Sequence, residues 1–434
     1  MKRFALGLAL LGLLALGAPA TAIIGTNDNV PAATLLLPYF EVDLNSTAGI
    51  TTLFSINNAS ASAAVAHVTI WSDLSVPVLD FDIYLTGYDV QTINLRDIIQ
   101  SGILPRTADD GADPSDTISP KGPFSQDINF PGATGPCVAP YSNPQLTGAL
   151  LTYVQRALTG RGADPFTGSG SRCYGYAFGD NIARGYVTVD SVTQCSLLFP
   201  SDPGYFTGIA DTRNILWGDY FYVEPGDNFA QGETLVHIEH APQTFVPTDY
   251  TFYGRYVGWL ATDAREPLSS AFAFRYVNGR GFDGGTELIV RRDAKRVIGN
   301  FACTSPWPSA YPLAETQVVA FDEAEDAEEL CGGTGSNVSP PTNTEEICFP
   351  LEAQRISLLG GNAPGDDPTP PWNFGWMYLN LNHSFAGDPF AADGGTAQNF
   401  VTVVMKAEGR YAVGFDAMQL DNVWLNPSNV IFDF

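Results

Sequence analysis

Basic residues are scarce in this 434-residue chain. Lys and Arg together number 21 against 47 Asp and Glu, which gives a formal net charge of −26 at pH 7. A nucleic-acid partner requires a basic surface that neutralises phosphates, and anionic lipid attracts clusters of Lys and Arg. The composition therefore argues against nucleic acid and against anionic lipid as partners. It suits a soluble protein, or one that collects divalent cations.

The sequence also lacks the short motifs of several common catalytic and cofactor sites. It contains no Walker A motif, no G-x-S-x-G elbow and no C-x2-C pair. The segment from Gly279 to Gly284 matches G-x-G-x-x-G, but strand-like residues follow it where a dinucleotide site needs a helix, so it predicts a hairpin turn. Only four histidines occur. The cluster His237-Ile-Glu239-His240 places its histidines on opposite faces of a strand, and His67 is expected to be a hydrogen-bonded interior imidazole.

Long apolar runs are confined to the beginning of the chain. Lys2 and Arg3 precede an apolar stretch from Phe4 to Leu16, and small residues follow up to Ala20-Thr21-Ala22. This pattern is typical of a secretory signal peptide spanning residues 1–22, with an A-x-A cleavage site. No run of 18 apolar residues follows, so no transmembrane helix is expected. The sequence predicts an exported protein that is periplasmic, attached to the cell surface or extracellular.

The abundant residues favour an all-β fold. The chain has 43 Gly and 31 Pro, and aromatic residues make up 12% of it. Such a composition gives many turns and few long helices. The segment Val78 to Leu85 alternates apolar and polar residues, and five short strands are expected between residues 33 and 97. The strand order from Thr52 to Asp97 resembles generic bacterial Ig-like modules, a resemblance that implies a β-sandwich but no single activity.

A weak internal repeat suggests two copies of this sandwich. The pattern from Leu53 to Asp97 recurs in similar order from Ala273 to Asp322. We therefore expect two Ig-like antiparallel β-sandwich units, with an irregular disulfide-stapled insert and one short helix. The expected divisions are a signal peptide (1–22), an N-terminal sandwich (23–106), an insert with a helix near 145–158 (107–205), and a C-terminal sandwich with a cysteine-containing loop at 303–348 (206–434). The acidic run 322–329 has Glu and Ala in helical proportions.

The six cysteines predict disulfides, because an even number in an exported chain usually pairs. They fall into two groups of three, so full oxidation requires at least one bridge between the groups; the connectivity is otherwise open. The cysteines are Cys137, Cys173, Cys195, Cys303, Cys331 and Cys348.

Two candidate ligand sites follow from local composition. A dense acidic loop contains a glycine turn, and Ca2+ favours several oxygens from one flexible loop, although the spacing is not that of a helix-loop-helix site. Its candidate ligands are Asp109, Asp110, Asp113 and Asp116, and Ca2+ is the one cofactor suggested. Trp372 and Trp376 flank a short turn and are candidates for stacking on a glycan.

These observations favour a non-catalytic structural or binding protein of the periplasm or cell surface, with a surface glycan or a protein as partner. Two alternatives stay open. The alternation of Val430, Phe432 and Phe434 resembles the end of outer-membrane β-barrels. A secreted carbohydrate-active hydrolase would use two carboxylates, but the 47 acidic residues select no pair, and no catalytic residue is assigned.

Overall fold

The structure is a computed structural model that describes residues 30–105, 145–146, 148–242, 250–257, 263–279, 281–332, 346–383, 397–407 and 409–420. Antiparallel strands dominate these ranges and helices are few and short. The expected all-β class is therefore confirmed. Within the described ranges, no helix is both long enough and apolar enough to cross a membrane.

The strands are numbered in chain order. The first eleven are β1 (Thr34–Asp43), β2 (Thr51–Asn58), β3 (Ala64–Ser72), β4 (Pro77–Leu85), β5 (Val90–Asn94), β6 (Arg172–Cys173), β7 (Ile182–Val192), β8 (Leu216–Trp217), β9 (Asp219–Glu224), β10 (Phe229–Thr234) and β11 (Val236–Ile238). The other ten are β12 (Ala271–Val277), β13 (Gly285–Arg292), β14 (Phe301–Ala302), β15 (Gln317–Phe321), β16 (Ala327–Gly332), β17 (Ala353–Ser357), β18 (Phe374–Asn380), β19 (Asn399–Ala407), β20 (Tyr411–Asp416) and β21 (Met418–Gln419). The helices are α1 (Leu95–Ile99), α2 (Gly148–Ala157), α3 (Tyr205–Gly208) and α4 (Gly254–Val257), with a 3-10 turn at Pro225–Asp227.

Four main sheets contain most of these strands. Sheet 1 has the order β10-β9-β2-β5, with β8 also paired to β2, and sheet 2 has the order β11-β1-β7-β3-β4. Sheet 3 has the order β17-β13-β19-β20, and sheet 4 has the order β16-β15-β18-β12-β21. A separate two-stranded ladder joins β6 to β14.

Successive residues of single strands show how the sheets are layered. In β1, Leu35 and Leu37 pack with residues of sheet 1, whereas Leu36 packs with residues of sheet 3. In β13, Leu288 packs with residues of sheet 4, whereas Ile289 packs with residues of sheet 2. Because neighbouring side chains of a strand point to opposite faces, sheet 2 packs between sheets 1 and 3, and sheet 3 packs between sheets 2 and 4. At one side sheet 1 also reaches sheet 3, where Lys406 of β19 pairs with Glu224 of β9 at 2.9 Å.

The two inner sheets are covered on both faces. All nine residues of β3 and all nine of β19 are buried. A strand buried on both sides reads as a nearly continuous apolar run instead of an alternating one. The stacking thus accounts for the long apolar strands of this sequence.

Single sheets combine strands from different divisions of the sequence analysis. Strand β7, from the expected insert, lies at the centre of sheet 2, and β8 to β11, from the expected C-terminal unit, complete sheets 1 and 2. The repeat maps β2, β3 and β5 onto β12, β13 and β15, and both sets alternate between an outer and an inner sheet. However, β2 pairs directly with β5, whereas β18 separates β12 from β15.

Local expectations differ in their outcomes. The helix near 145–158 is present as α2, although Leu150 is exposed while Val154 is buried. Strands β19 and β20 pair as antiparallel neighbours from Ala407 with Tyr411 to Thr402 with Asp416. The helical proportions of the run 322–329 do not correspond to a helix. Residues 327–332 form β16, because they complete the edge of sheet 4 by pairing with β15.

The boundary between sheets 2 and 3 contains a buried carboxylate, that of Glu352. Its oxygens accept two hydrogen bonds from Arg255, at 2.8 and 2.7 Å, and one from the Tyr311 hydroxyl at 2.9 Å. The backbone N–H of Ala294 donates to it at 3.0 Å, and Ser75 in the β3–β4 turn donates as well. Arg255 also pairs with Asp293. Glu352 thus joins a turn of the first half of the chain to several elements of the second half.

A second ionic cluster crosses the same boundary through Glu41 of β1. Glu41 accepts hydrogen bonds from Arg184 at 3.0 Å and from Arg355 of β17 at 3.4 Å. Burial alone would raise the pKa of Glu41, but Arg355 and Arg184 lower it below its ordinary value. The carboxylate is therefore held ionised between two guanidinium groups, one from each half of the chain.

We expect Glu352→Gln to destabilise the protein by about 3–5 kcal/mol, because it removes one charge of a buried pair and leaves Arg255 undercompensated. Glu323→Gln is the control: it breaks the solvent-exposed pair of Arg275 and Glu323 and should cost less than about 1 kcal/mol. Urea denaturation measures both changes. Equal losses in the two variants would contradict a structural role for Glu352.

Two disulfides are defined within the described ranges. Cys173 is bonded to Cys303 and Cys331 to Cys348. The first is the bridge between the two cysteine groups that the odd count in each group predicts, and it ties β6 to β14. Cys195 is also disulfide-bonded, and Cys137 lies outside the described residues.

The two bridges span 130 and 17 residues. Because a longer closed loop restricts the unfolded chain more, replacing Cys173 and Cys303 with Ser should cost about 5 kcal/mol, and replacing Cys331 and Cys348 about 3 kcal/mol. Urea denaturation of the two double variants gives the comparison, and non-reducing peptide mapping should recover the Cys173–Cys303 peptide. A reversed order of stabilities would refute the entropic explanation.

Candidate functional site

The outer face of sheet 1 is a candidate binding surface. Strand pairing arranges its outward side chains in rows across β10, β9, β2 and β5. One row contains Gly232, Phe221, Leu53 and Asn94; the next contains Thr234, Asp219, Ser55 and Thr92; the third contains Trp217, Asn57 and Val90. A polar row therefore lies between two rows that each contain an aromatic ring. We call these eleven residues the sheet 1 face.

The two aromatic rings are substantially exposed. Trp217 is 43% exposed and Phe221 is 48% exposed. A Cβ atom at Gly232 would lie 2.6 Å from Phe221 Cε1, so the Phe221 ring lies directly on the glycine backbone. Gly232 provides the space that this ring occupies, and the opposite side of the ring faces solvent.

Hydrogen bonds hold the polar row in place. The Ser55 hydroxyl donates to Asp219 Oδ1 at 2.8 Å and accepts from the Asn57 amide at 3.0 Å. The same Asn57 amide donates to the backbone carbonyl of Trp217 at 3.1 Å. This network connects β2 to β8 and β9 and fixes the position of the Trp217 backbone. Thr92 and Thr234, at the two ends of the row, are exposed to solvent.

The sheet 1 face can stack on an apolar surface and exchange hydrogen bonds with hydroxyl groups. Aromatic rings offer large, rigid contact areas. The hydroxyls of Thr92 and Thr234 can donate and accept, and the carboxylate of Asp219 accepts. Asp219 is the only charged residue among the eleven, so the face carries no cation that would attract an anionic ligand.

The structure places the glycan candidates of the sequence analysis in different surroundings. Trp372 is half-buried against the core between sheets 3 and 4. Trp376 lies on β18 and stacks on Phe321, with ring centroids 3.9 Å apart and planes 4° from parallel. The two tryptophans therefore do not share one cluster. The calcium candidates Asp109, Asp110, Asp113 and Asp116 lie outside the described residues.

His67 is an interior imidazole with a carboxylate on each side. Its Nδ1 lies 2.8 Å from Asp82 Oδ1 and its Nε2 lies 3.6 Å from Asp80 Oδ2. Burial would lower the pKa of His67, but the hydrogen bond to Asp82 and the nearby carboxylates raise it above its ordinary value. Burial raises the pKa of Asp80 to about 6, against the opposing charge of His67. The His67 ring is fully buried, which suits the expected interior role.

Other metal-type side chains do not form an open site in the described part of the chain. In that part of the chain, one group of potential ligands is close enough together to hold a metal ion, and it consists of Glu315, Cys331 and Cys348. Both sulfurs are joined in a disulfide, so they are not available as thiolate ligands. His237, from the histidine cluster of the sequence, lies in β11, and its Nε2 accepts the N–H of Gly218 at 3.4 Å.

The sequence analysis missed the sheet 1 face. Trp217, Asp219, Phe221 and Val223 alternate with Leu216, Tyr220 and Tyr222, which are buried. This period of two was a readable signal of a strand with one exposed aromatic side. Its neighbours on β2 and β5 are more than 100 residues distant, so the composition of the face depends on pairing that the local pattern does not contain.

Comparisons with protein families, with curated proteins and with solved structures find no match to this chain. The candidate site is therefore interpreted from its own geometry.

The raised pKa of Asp80 predicts a pH-dependent stability. Between its ordinary value and about 6, the folded protein binds a proton that the unfolded chain has lost, so stability falls as the pH rises through this range. Asp80→Asn should remove about 2 kcal/mol of the difference between pH 4 and pH 7. Urea denaturation at both pH values tests this, with the exposed carboxyl variant Asp97→Asn as control. If the stabilities of wild type and Asp80→Asn depended on pH in the same way, the pKa of Asp80 would not be raised in the folded protein.

Proposed function

We propose that this protein is an exported, non-catalytic binding protein of the periplasm or cell surface. The observation that carries the proposal is the sheet 1 face, on which two exposed rings flank a hydrogen-bonded polar row. Functional surfaces are often exposed patches on a rigid scaffold. The first 22 residues support export, and the disulfides are compatible with an oxidising compartment.

The buried ionic clusters support a binding role for the outer surface and not a catalytic role for the charged residues between the sheets. Glu352 and Arg255 are almost completely buried, and their charged groups are paired with each other and with neighbouring donors. We interpret them as structural. The Ig-like character of the two halves belongs to the same proposal, supported by their antiparallel sheets and by the alternation of β2, β3 and β5 between layers.

Export is tested by expressing the full chain in a bacterial host and separating the exported and cytoplasmic fractions. We expect the mature protein in the exported fraction, with its N-terminus at Ile23 and without free thiols. Leu13→Arg combined with Leu14→Arg should retain the chain in the cytoplasm, because charges interrupt the apolar segment; the matched control is Leu13→Val with Leu14→Val. N-terminal sequencing and thiol titration provide the readouts. Wild-type chain that stays uncleaved and reduced in the cytoplasm would contradict the proposal.

A further inference from the structure

We infer that the sheet 1 face binds an uncharged polysaccharide, with Trp217 and Phe221 stacking on sugar rings and the polar row between them bonding to sugar hydroxyls. This inference rests on the proposed binding function and names its ligand class. It assigns the contact to residues other than the tryptophans that the sequence singled out.

The spacing of the rings suits an extended ligand. Trp217 of β8 and Phe221 of β9 are four residues apart, and β8 and β9 follow each other along the same edge of β2. Their separation corresponds to about 13 Å at roughly 3.3 Å per residue. Both belong to rows of the same outward face, through their pairing with Asn57 and Leu53 of β2. A chain of sugars that lies along the strand direction would therefore contact one ring, cross the polar row and reach the other ring.

The mixed chemistry of the face favours a sugar over a purely apolar occupant. A sugar ring presents C–H groups on its faces and hydroxyls around its edge. An apolar protein surface or lipid chains would cover Asp219 and Thr92 without offering hydrogen bonds, and a buried polar group without a partner is costly. Sugar hydroxyls can donate to the Asp219 carboxylate and exchange hydrogen bonds with the threonine.

The charge of the face selects an uncharged glycan over an acidic one. Asp219 is its single charged residue, and the whole protein carries a net charge of −26. An acidic polysaccharide would meet repulsion both locally and at long range. The recognition of anionic groups usually employs Arg or Lys, and the sheet 1 face contains neither.

The test is electrophoresis of the full mature chain in native gels that contain a soluble polysaccharide. The neutral probes are hydroxyethyl cellulose and soluble starch, and the acidic probe is polygalacturonate. We expect retardation by at least one neutral probe and none by polygalacturonate. The double variant Trp217→Ala/Phe221→Ala should lose about tenfold or more in affinity, since each ring contributes stacking.

Three further variants sharpen the result. Gly232→Val keeps both rings but displaces the Phe221 ring from its position on the backbone, so it should also weaken binding. Tyr411→Ala removes an aromatic ring that is 55% exposed on β20, outside the sheet 1 face, and should leave binding unchanged. Trp372→Ala/Trp376→Ala tests the residues suggested by the sequence. Thermal melts of all variants confirm folding.

Several outcomes would overturn the inference. These are the absence of retardation by both neutral probes, equal retardation of wild type and the Trp217/Phe221 double variant, or loss of binding only in Trp372→Ala/Trp376→Ala. An exported chain that binds neither probe would refute the glycan ligand and leave export intact. A cytoplasmic chain would refute the proposed function independently of the gel result.

Discussion

The buried carboxylate of Glu352 is the constraint on which the assembly of this fold depends. Removing an ionised carboxylate from water costs several kcal/mol, so the protein must supply all of its partners together. Those partners come from α4, from the segment after β13 and from the β3–β4 turn, where Ser75 has a left-handed φ of 57°. The turn reaches its final environment only when sheet 3 is in place. The halves of the chain therefore complete each other and do not behave as two modules joined by a linker.

This dependence explains where the polar residues of the inner sheets lie. Both faces of sheets 2 and 3 are covered over most of their length, so most polar side chains there depend on internal partners. Asp190 of β7 accepts hydrogen bonds from Thr34 at 2.5 Å and from Tyr205 at 2.7 Å, and His67 on the neighbouring strand pairs with Asp82. In the observed register these interactions offset the desolvation of each group. The inner strands are thus fixed by apolar packing together with specific hydrogen bonds.

The sequence contained the features that depend on local pattern or counting. Alternation predicted β4, and the odd number of cysteines in each group predicted a bridge such as Cys173–Cys303. The sequence was misleading where strand pairing overrides helix propensity: residues 327–329 have a helix-favouring composition but pair with β15. It could not give the sheet 1 face, because the rows join β2 and β5 to β8, β9 and β10, which lie much later in the chain.

The connection between the ionic boundary and the sheet 1 face has a physical consequence for binding. Strand β9 carries Phe221 on its outer side and also contributes to the ionic cluster: Tyr222 donates to Glu41, and Glu224 pairs with Arg355 at 3.1 Å. The rings are carried by strands, Phe221 rests on Gly232, and Asn57 holds the Trp217 backbone. Ordering such groups on binding costs little conformational entropy, because folding has already restricted them. The contacts of Glu41 and Arg355 with β9 thus help to fix the strand that carries Phe221. A rigid surface is what weak stacking contacts require in order to add up to useful affinity.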